Sequence, residues 1–209
     1  CRLLLLFLLC LPALAFEARV MPLAPQSLLL DIQFTGRRLV AVGERGHILT
    51  SDDLGASWQQ ARVPTRQMLT AVHFPGPDRG WAVGHDGLVL ATVDGGDSWV
   101  LQRDGLVAQR HFDERRLREL GEQVEPLKQA LLAAPDEAAR RSAQDRLEAL
   151  ALDIEDLEYA LGQPVFAPPL LDVYFMDELR GVAVGAFGTL LLTRDGGLNW
   201  VEAGDRLHN

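Results

Sequence analysis

The stretch GWAVGHDGLVLATVDGGDSW, residues 80–99, decides the fold, because it recurs on either side. Residues 39–58 read LVAVGERGHILTSDDLGASW, and residues 181–200 read GVAVGAFGTLLLTRDGGLNW. Five columns hold one register. They are Gly43, Gly84 and Gly185; Gly46, Gly87 and Gly188; Asp53, Asp94 and Asp195; Gly55, Gly96 and Gly197; and Trp58, Trp99 and Trp200. Every offset is 41 from the first unit to the second and 101 from the second to the third, so the later gap holds 60 extra residues. Self-similarity at a fixed period marks a repeat architecture.

Each unit has the same grammar. An apolar strand comes first, at Leu30–Phe34, Leu69–Phe74 and Leu171–Phe175. A Val-Ala-Val-Gly strand or its near copy follows. A Gly turn then leads to a third strand, His47–Thr50 or Leu88–Thr92, and a short last strand carries the Trp. Short β-branched strands with Gly turns mean antiparallel sheet, and four strands in about 40 residues make one propeller blade. Expected is a mainly β fold: a partial β-propeller of about three four-stranded blades with a helical hairpin inserted between the second and third. Three blades do not close a ring of four to eight, so the sequence reads as part of a longer chain.

The turn between the last two strands has a mechanism. In Ser51-x-Asp53-x-Gly55-x-x-Trp58 the carboxylate accepts backbone N–H groups of its own turn, and the hydroxyl adds a local bond. Gly takes the positive φ, and Trp folds its apolar face over the hairpin. Thr92, Asp94, Gly96 and Trp99 repeat the set, as do Thr193, Asp195, Gly197 and Trp200. These residues read as structural: a turn that consumes both carboxylate oxygens leaves nothing for catalysis.

The inserted residues, 106–164, change in character. Leu117, Leu120, Val124, Leu127 and Leu131 step by three and four, as do Leu147, Leu150, Ile154, Leu157 and Leu161. Two amphipathic helices joined by a short loop pack antiparallel. Pro126 falls inside the first and is expected to kink it, and Pro135 suits the first turn of the second. The expected organisation is a signal peptide at 1–15, blades one and two at 16–105, the hairpin at 106–167 and blade three at 168–209.

Arg2, the apolar run Leu3–Leu11 and Pro12-Ala13-Leu14-Ala15 have the order of an export signal. Both cysteines, Cys1 and Cys10, fall within it, so the exported part has no disulfide. The predicted location is the periplasm or a lumen-equivalent space. A net charge of −9 opposes nucleic acid as a partner. The histidines, His47, His73, His85, His111 and His208, show no metal-binding spacing, and no phosphate loop precedes a helix. No cofactor, metal or small-molecule substrate is predicted. Glu44, Arg45, His85 and Asp86 sit at equivalent turns and are read as a polar contact surface. Arg115, Arg116 and Arg118 of the insertion are candidate partner contacts.

The three Asp boxes, each preceded by Val-Gly-x-x-Gly, resemble those of the photosystem II assembly and stability factor propellers and their bacterial relatives. The resemblance covers roughly residues 27–105 and 168–203. It implies a seven-bladed, cofactor-free propeller that helps to assemble a membrane complex. The partner it implies is therefore a membrane protein complex, an assembly client or an exporter. The hairpin departs from the family's best-known members. Sialidase-like enzymes also carry Asp boxes and stand as the alternative. They need an arginine triad, a Tyr–Glu pair and an Asp acid, whereas this chain has only two tyrosines, Tyr159 and Tyr174.

Overall fold

The computed structural model describes residue 18 and residues 20–203. The expected signal peptide and His208 lie outside them. Among the described residues there are three four-stranded antiparallel sheets, each a simple meander. Blade one contains β1 (Leu29–Phe34), β2 (Leu39–Gly43), β3 (Ile48–Ser51) and β4 (Gln59–Gln60). Blade two contains β5 (Leu69–His73), β6 (Gly80–Gly84), β7 (Val89–Thr92) and β8 (Val100–Arg103). Blade three contains β9 (Leu170–Phe175), β10 (Gly181–Gly185), β11 (Leu190–Thr193) and β12 (Val201–Glu202). The third strands begin one residue later than the sequence suggests. His47 and Leu88 instead close short 3-10 turns, donating their N–H groups to the carbonyls of Glu44 and His85.

The blades pack face to face through their first strands: β1 lies against β5, and β5 against β9. Two apolar layers result. Val40, Val42 and Ile48 of blade one meet Leu69, Val72 and Phe74 of blade two. Trp81, Val83 and Val89 of blade two meet Val173, Phe175 and Ala183 of blade three. Blade two is therefore buried on both faces, which is why its strands are apolar without alternation. The outer faces stay open. Ile32 and Phe34 of β1 are about half exposed (53% and 51%), whereas the residues that occupy their places in blade two, Val72 and Phe74, are buried. On blade three Val184 and Val201 are exposed.

The insertion forms α1 (Gly105–Leu132) and α2 (Glu137–Leu161), packed against each other. Leu120, Ala143 and Leu150 are the buried residues of the seam. Asp104 caps α1, accepting from the N–H groups of Leu106 and Val107 at 3.0 and 3.2 Å. α1 continues through Pro126 as one helix. The start of α2 differs from the sequence reading: Asp136 is its N-cap, accepting from the Ala139 N–H at 2.7 Å. A carboxylate at that position satisfies a free helix donor that proline cannot, so Pro135 stands before the cap.

Candidate functional site

The three Asp boxes share one bonding scheme. Ser51 Oγ donates to Asp53 Oδ1 at 2.8 Å and accepts from the Gly55 N–H at 2.8 Å. Thr92 and Thr193 do the same for Asp94 and Gly96 and for Asp195 and Gly197. Each Asp then holds the residue four places on. Asp53 accepts from both N–H and hydroxyl of Ser57, Asp94 from those of Ser98, and Asp195 from the backbone and side-chain N–H of Asn199. Both oxygens of every box carboxylate are engaged. Ser57, Ser98 and Asn199 were missed from sequence; the signal was a sixth column restricted to small polar residues.

These bonds set the electrostatics. The Ser57 hydroxyl and N–H, with the Ser51 hydroxyl, hold the Asp53 carboxyl down to about 2. For Asp94, burial pushes the carboxyl up, but the Ser98 and Thr92 hydrogen bonds outweigh it, and the net direction is down. Trp99, 4% exposed, closes this box by donating Nε1–H to the Gly96 carbonyl at 3.1 Å and meeting Phe74 edge-on at 5.9 Å. Asp94→Ala leaves three donors without their acceptor and is expected to cost about 2–3 kcal/mol near neutral pH. A folded-state value below the unfolded one gives stability that is complete above the unfolded value, about 3.9, and lost as pH falls through the folded one. Urea midpoints of wild type and variant should therefore converge as pH falls below about 4.

A second set of polar residues ties the boxes to neighbouring blades. Arg38 grips Asp52 with two bonds, at 2.7 and 2.6 Å, and reaches Asp97 beside the second box at 2.5 Å. Arg79 and Arg180 hold the same place in the later units. Arg79 pairs across to Glu178 at 3.3 Å, and Arg180 pairs with Asp177 at 2.7 Å. This Arg column was also readable and was missed, because it lies just outside the Val-Gly stretch.

The candidate contact residues gather at the opposite turns of the blades. Arg45, Asp86 and Phe187 occupy equivalent places with φ near +57°, in the left-handed region. Glu44 accepts from the Leu28 N–H at 3.3 Å, and Asp86 accepts from the Gln67 side-chain amide. His85 is exposed, whereas His47 is 1% exposed and its Nδ1 has no hydrogen-bond partner among the described residues. The position of His47 belongs to the blade core, as Leu88 shows in the next unit. Phe187 is 83% exposed and meets Phe166 edge-on at 5.8 Å, a pair that sequence did not flag.

The hairpin rises from this end. Its first residue, Gly105, lies so close to the Asp86 carbonyl that a Cβ there would sit 2.1 Å from it, and Arg103 donates to the Gly87 carbonyl at 2.6 Å. Asp86 therefore lies at the hairpin root. Arg115, Arg116 and Arg118 lie at least ten residues further along α1, about 15 Å up the arm at 1.5 Å per residue. Arg115 covers the Phe112 ring at 5.7 Å. Arg116 and Arg146 border an open groove of about 740 Å³ between the helices, floored by Leu120, Leu127 and Leu150. Among the described residues no cluster of three metal-ligating side chains occurs, and no helix is long and apolar enough to cross a membrane.

The chain is similar to several known proteins. The photosystem II stability/assembly factor HCF136, chloroplastic, of Cyanidioschyzon merolae is 47% identical over 47 residues, 22% of this chain and 11% of that protein. Its namesake in Arabidopsis thaliana is 28% identical over 93 residues, 40% of this chain and 23% of that protein. A solved structure of YCF48 bound to D1 peptide matches with a TM-score of 0.49 and 17% identity, over 83% of this chain and 38% of that one. YCF48 from Cyanidioschyzon merolae matches with a TM-score of 0.48 and 18% identity, over 89% and 42%. Each match thus spans less than half of the other protein's length. The family model for photosynthesis system II assembly factor YCF48 matches residues 15–103 and 50–119, together half of the chain, and the chain belongs to that family.

Proposed function

We propose that this chain is part of an exported, non-catalytic propeller that holds a membrane protein complex during its assembly, with the hairpin as a gripping arm. The observation that carries the reading is the family match, which runs through both complete Asp-box units of the first two blades and the first half of α1. The curated relatives carry the name of stability and assembly factors. The Asp-box carboxylates have both oxygens engaged inside their own turns, which favours a structural over a catalytic role for them. The leader-like residues 1–15 support export to a periplasmic or lumenal space, where a client's exposed loops are within reach.

In this reading the client meets the turn end of the blades, with Glu44, Arg45, His85 and Asp86, and the arm, with Arg115, Arg116 and Arg118. The test is cross-linking and pull-down from solubilised membranes, with and without residues 108–162. One membrane complex is expected to be recovered and to fall about tenfold with the deletion, a loss of roughly 1.4 kcal/mol or more. Equal recovery from both forms moves the contact to the blade turns. No enriched membrane protein from either form defeats the client reading.

A further inference from the structure

In blades one and two the residue before the phenylalanine that closes the first strand reaches across to the next blade. In blade one it is Gln33. Its Oε1 accepts from the Phe74 N–H at 2.7 Å, and its Nε2 donates to the Phe74 carbonyl at 3.1 Å. In blade two the same place holds His73, whose Nδ1 accepts from the Phe175 N–H at 3.1 Å. The ring is half-buried and packs on Tyr174, 4.5 Å between centroids. An imidazole accepts at Nδ1 only when neutral, with its proton on Nε2. Protonation places an N–H against the Phe175 N–H, two donors facing each other.

We propose that His73 makes the joint between blades two and three pH-sensitive, closed while the imidazole is neutral and loosened when it is protonated. The joint between blades one and two, held by the amide of Gln33, has no such response. The charged groups around the ring are Asp31 of β1 and Asp172 of β9; Tyr174 is the other titratable neighbour, and Trp81 of β6 stands opposite in register. Burial lowers the imidazole's affinity for a proton, while Asp172 and Asp31 raise it, and burial prevails. With the folded value below the unfolded one, the contribution of His73 is complete above about pH 6.5 and is lost as pH falls through the folded value. Other ties across this joint persist in acid: the Thr70 hydroxyl to the Leu170 carbonyl at 2.7 Å, and Trp81 stacked on Phe175. The expected response is therefore local loosening rather than unfolding. It falls at the joint from which the hairpin departs, since α1 follows β8 and α2 precedes β9.

The test is amide hydrogen exchange on the whole chain at about pH 8 and about pH 5.5, corrected for intrinsic rates. Protection across β9 is expected to fall about tenfold at the lower pH relative to β2 and β3. H73Q, which installs the amide used at Gln33, should keep β9 protected at both values, and H73L should leave it weakly protected at both. An unchanged response in H73Q, or no response in wild type, overturns the proposal. Loss of the response in H47L also overturns it, because the buried His47 would then be the titrating group. Should H73Q not fold, nitrogen-15 shifts of the wild-type imidazoles decide: a neutral His73 with its proton on Nδ1 overturns the proposal, and one with its proton on Nε2 sustains it.

Discussion

Replacing Trp81 by alanine is expected to lower stability by about 3–5 kcal/mol, one of the two largest single-residue effects in the chain. The side chain is 1% exposed. Its indole lies flat on Phe175, with ring centres 3.5 Å apart and planes 6° from parallel. Nε1 donates to the Gly196 carbonyl at 3.1 Å, so one residue of blade two holds both the core and the Asp-box turn of blade three. Alanine removes the stack and opens a cavity between two sheets that cannot collapse without moving a whole blade. The Gly196 carbonyl is not orphaned, because Gln102 Nε2 also donates to it at 3.0 Å. The loss is therefore mainly packing, and Trp81→Phe, which keeps a ring on Phe175, should cost only about 1–2 kcal/mol. Urea midpoints with near-ultraviolet circular dichroism measure both. A change below about 1 kcal/mol for alanine would mean that the two blades do not share this core.

The legible part of the fold was whatever repeats. Five columns in one register gave the blades, and the three-and-four spacing of Leu117 to Leu131 and Leu147 to Leu161 gave the hairpin. Contacts that join one blade to the next were less visible, because their chemistry changes from blade to blade. Trp81 occupies a place held by Val40 and Val182, so no column marks it. Gln33, His73 and Tyr174 are one structural position, yet they share no residue type. Their equivalence appears only once the strands are paired, because the loop after β1 is one residue shorter than in the next unit. The box residues show the converse. Ser57, Ser98 and Asn199 do repeat, and they escaped notice because a small polar residue in a turn looks ordinary. Leu54 shows the limit of pattern reading: it adopts φ +57° where the later boxes use Gly95 and Gly196, at +70° and +73°. A branched side chain there carries a backbone cost that the first box tolerates and no sequence pattern announces.

Gly84→Ala is expected to be at least as damaging as the loss of Trp81, at about 4 kcal/mol or more, although it adds only a methyl group. Backbone angles do not explain this, since φ of −174° is extended and open to any residue. Space does. A Cβ on Gly84 would stand 2.0 Å from the Met68 carbonyl oxygen and 2.9 Å from the Leu69 Cα. That oxygen is fixed in place because it accepts from the His85 N–H at 2.9 Å. The methyl group must therefore push β5 away from β6, and β5 is the strand on which both neighbouring blades pack. Gly43 meets the Leu28 carbonyl at the same 2.0 Å, and Gly185 meets that of Pro169 at 2.5 Å. The column most visible in the sequence thus records a close approach of strand to strand at a register shift, rather than a turn that demands positive φ. Gly76, with nothing within 4 Å of its added Cβ, is the matched control and should change stability by no more than about 0.5 kcal/mol. Equal urea midpoints for the Gly84 and Gly76 alanine variants would overturn this account, while a Gly84 variant that loses the cooperative transition altogether would make β5 the strand on which all three blades depend.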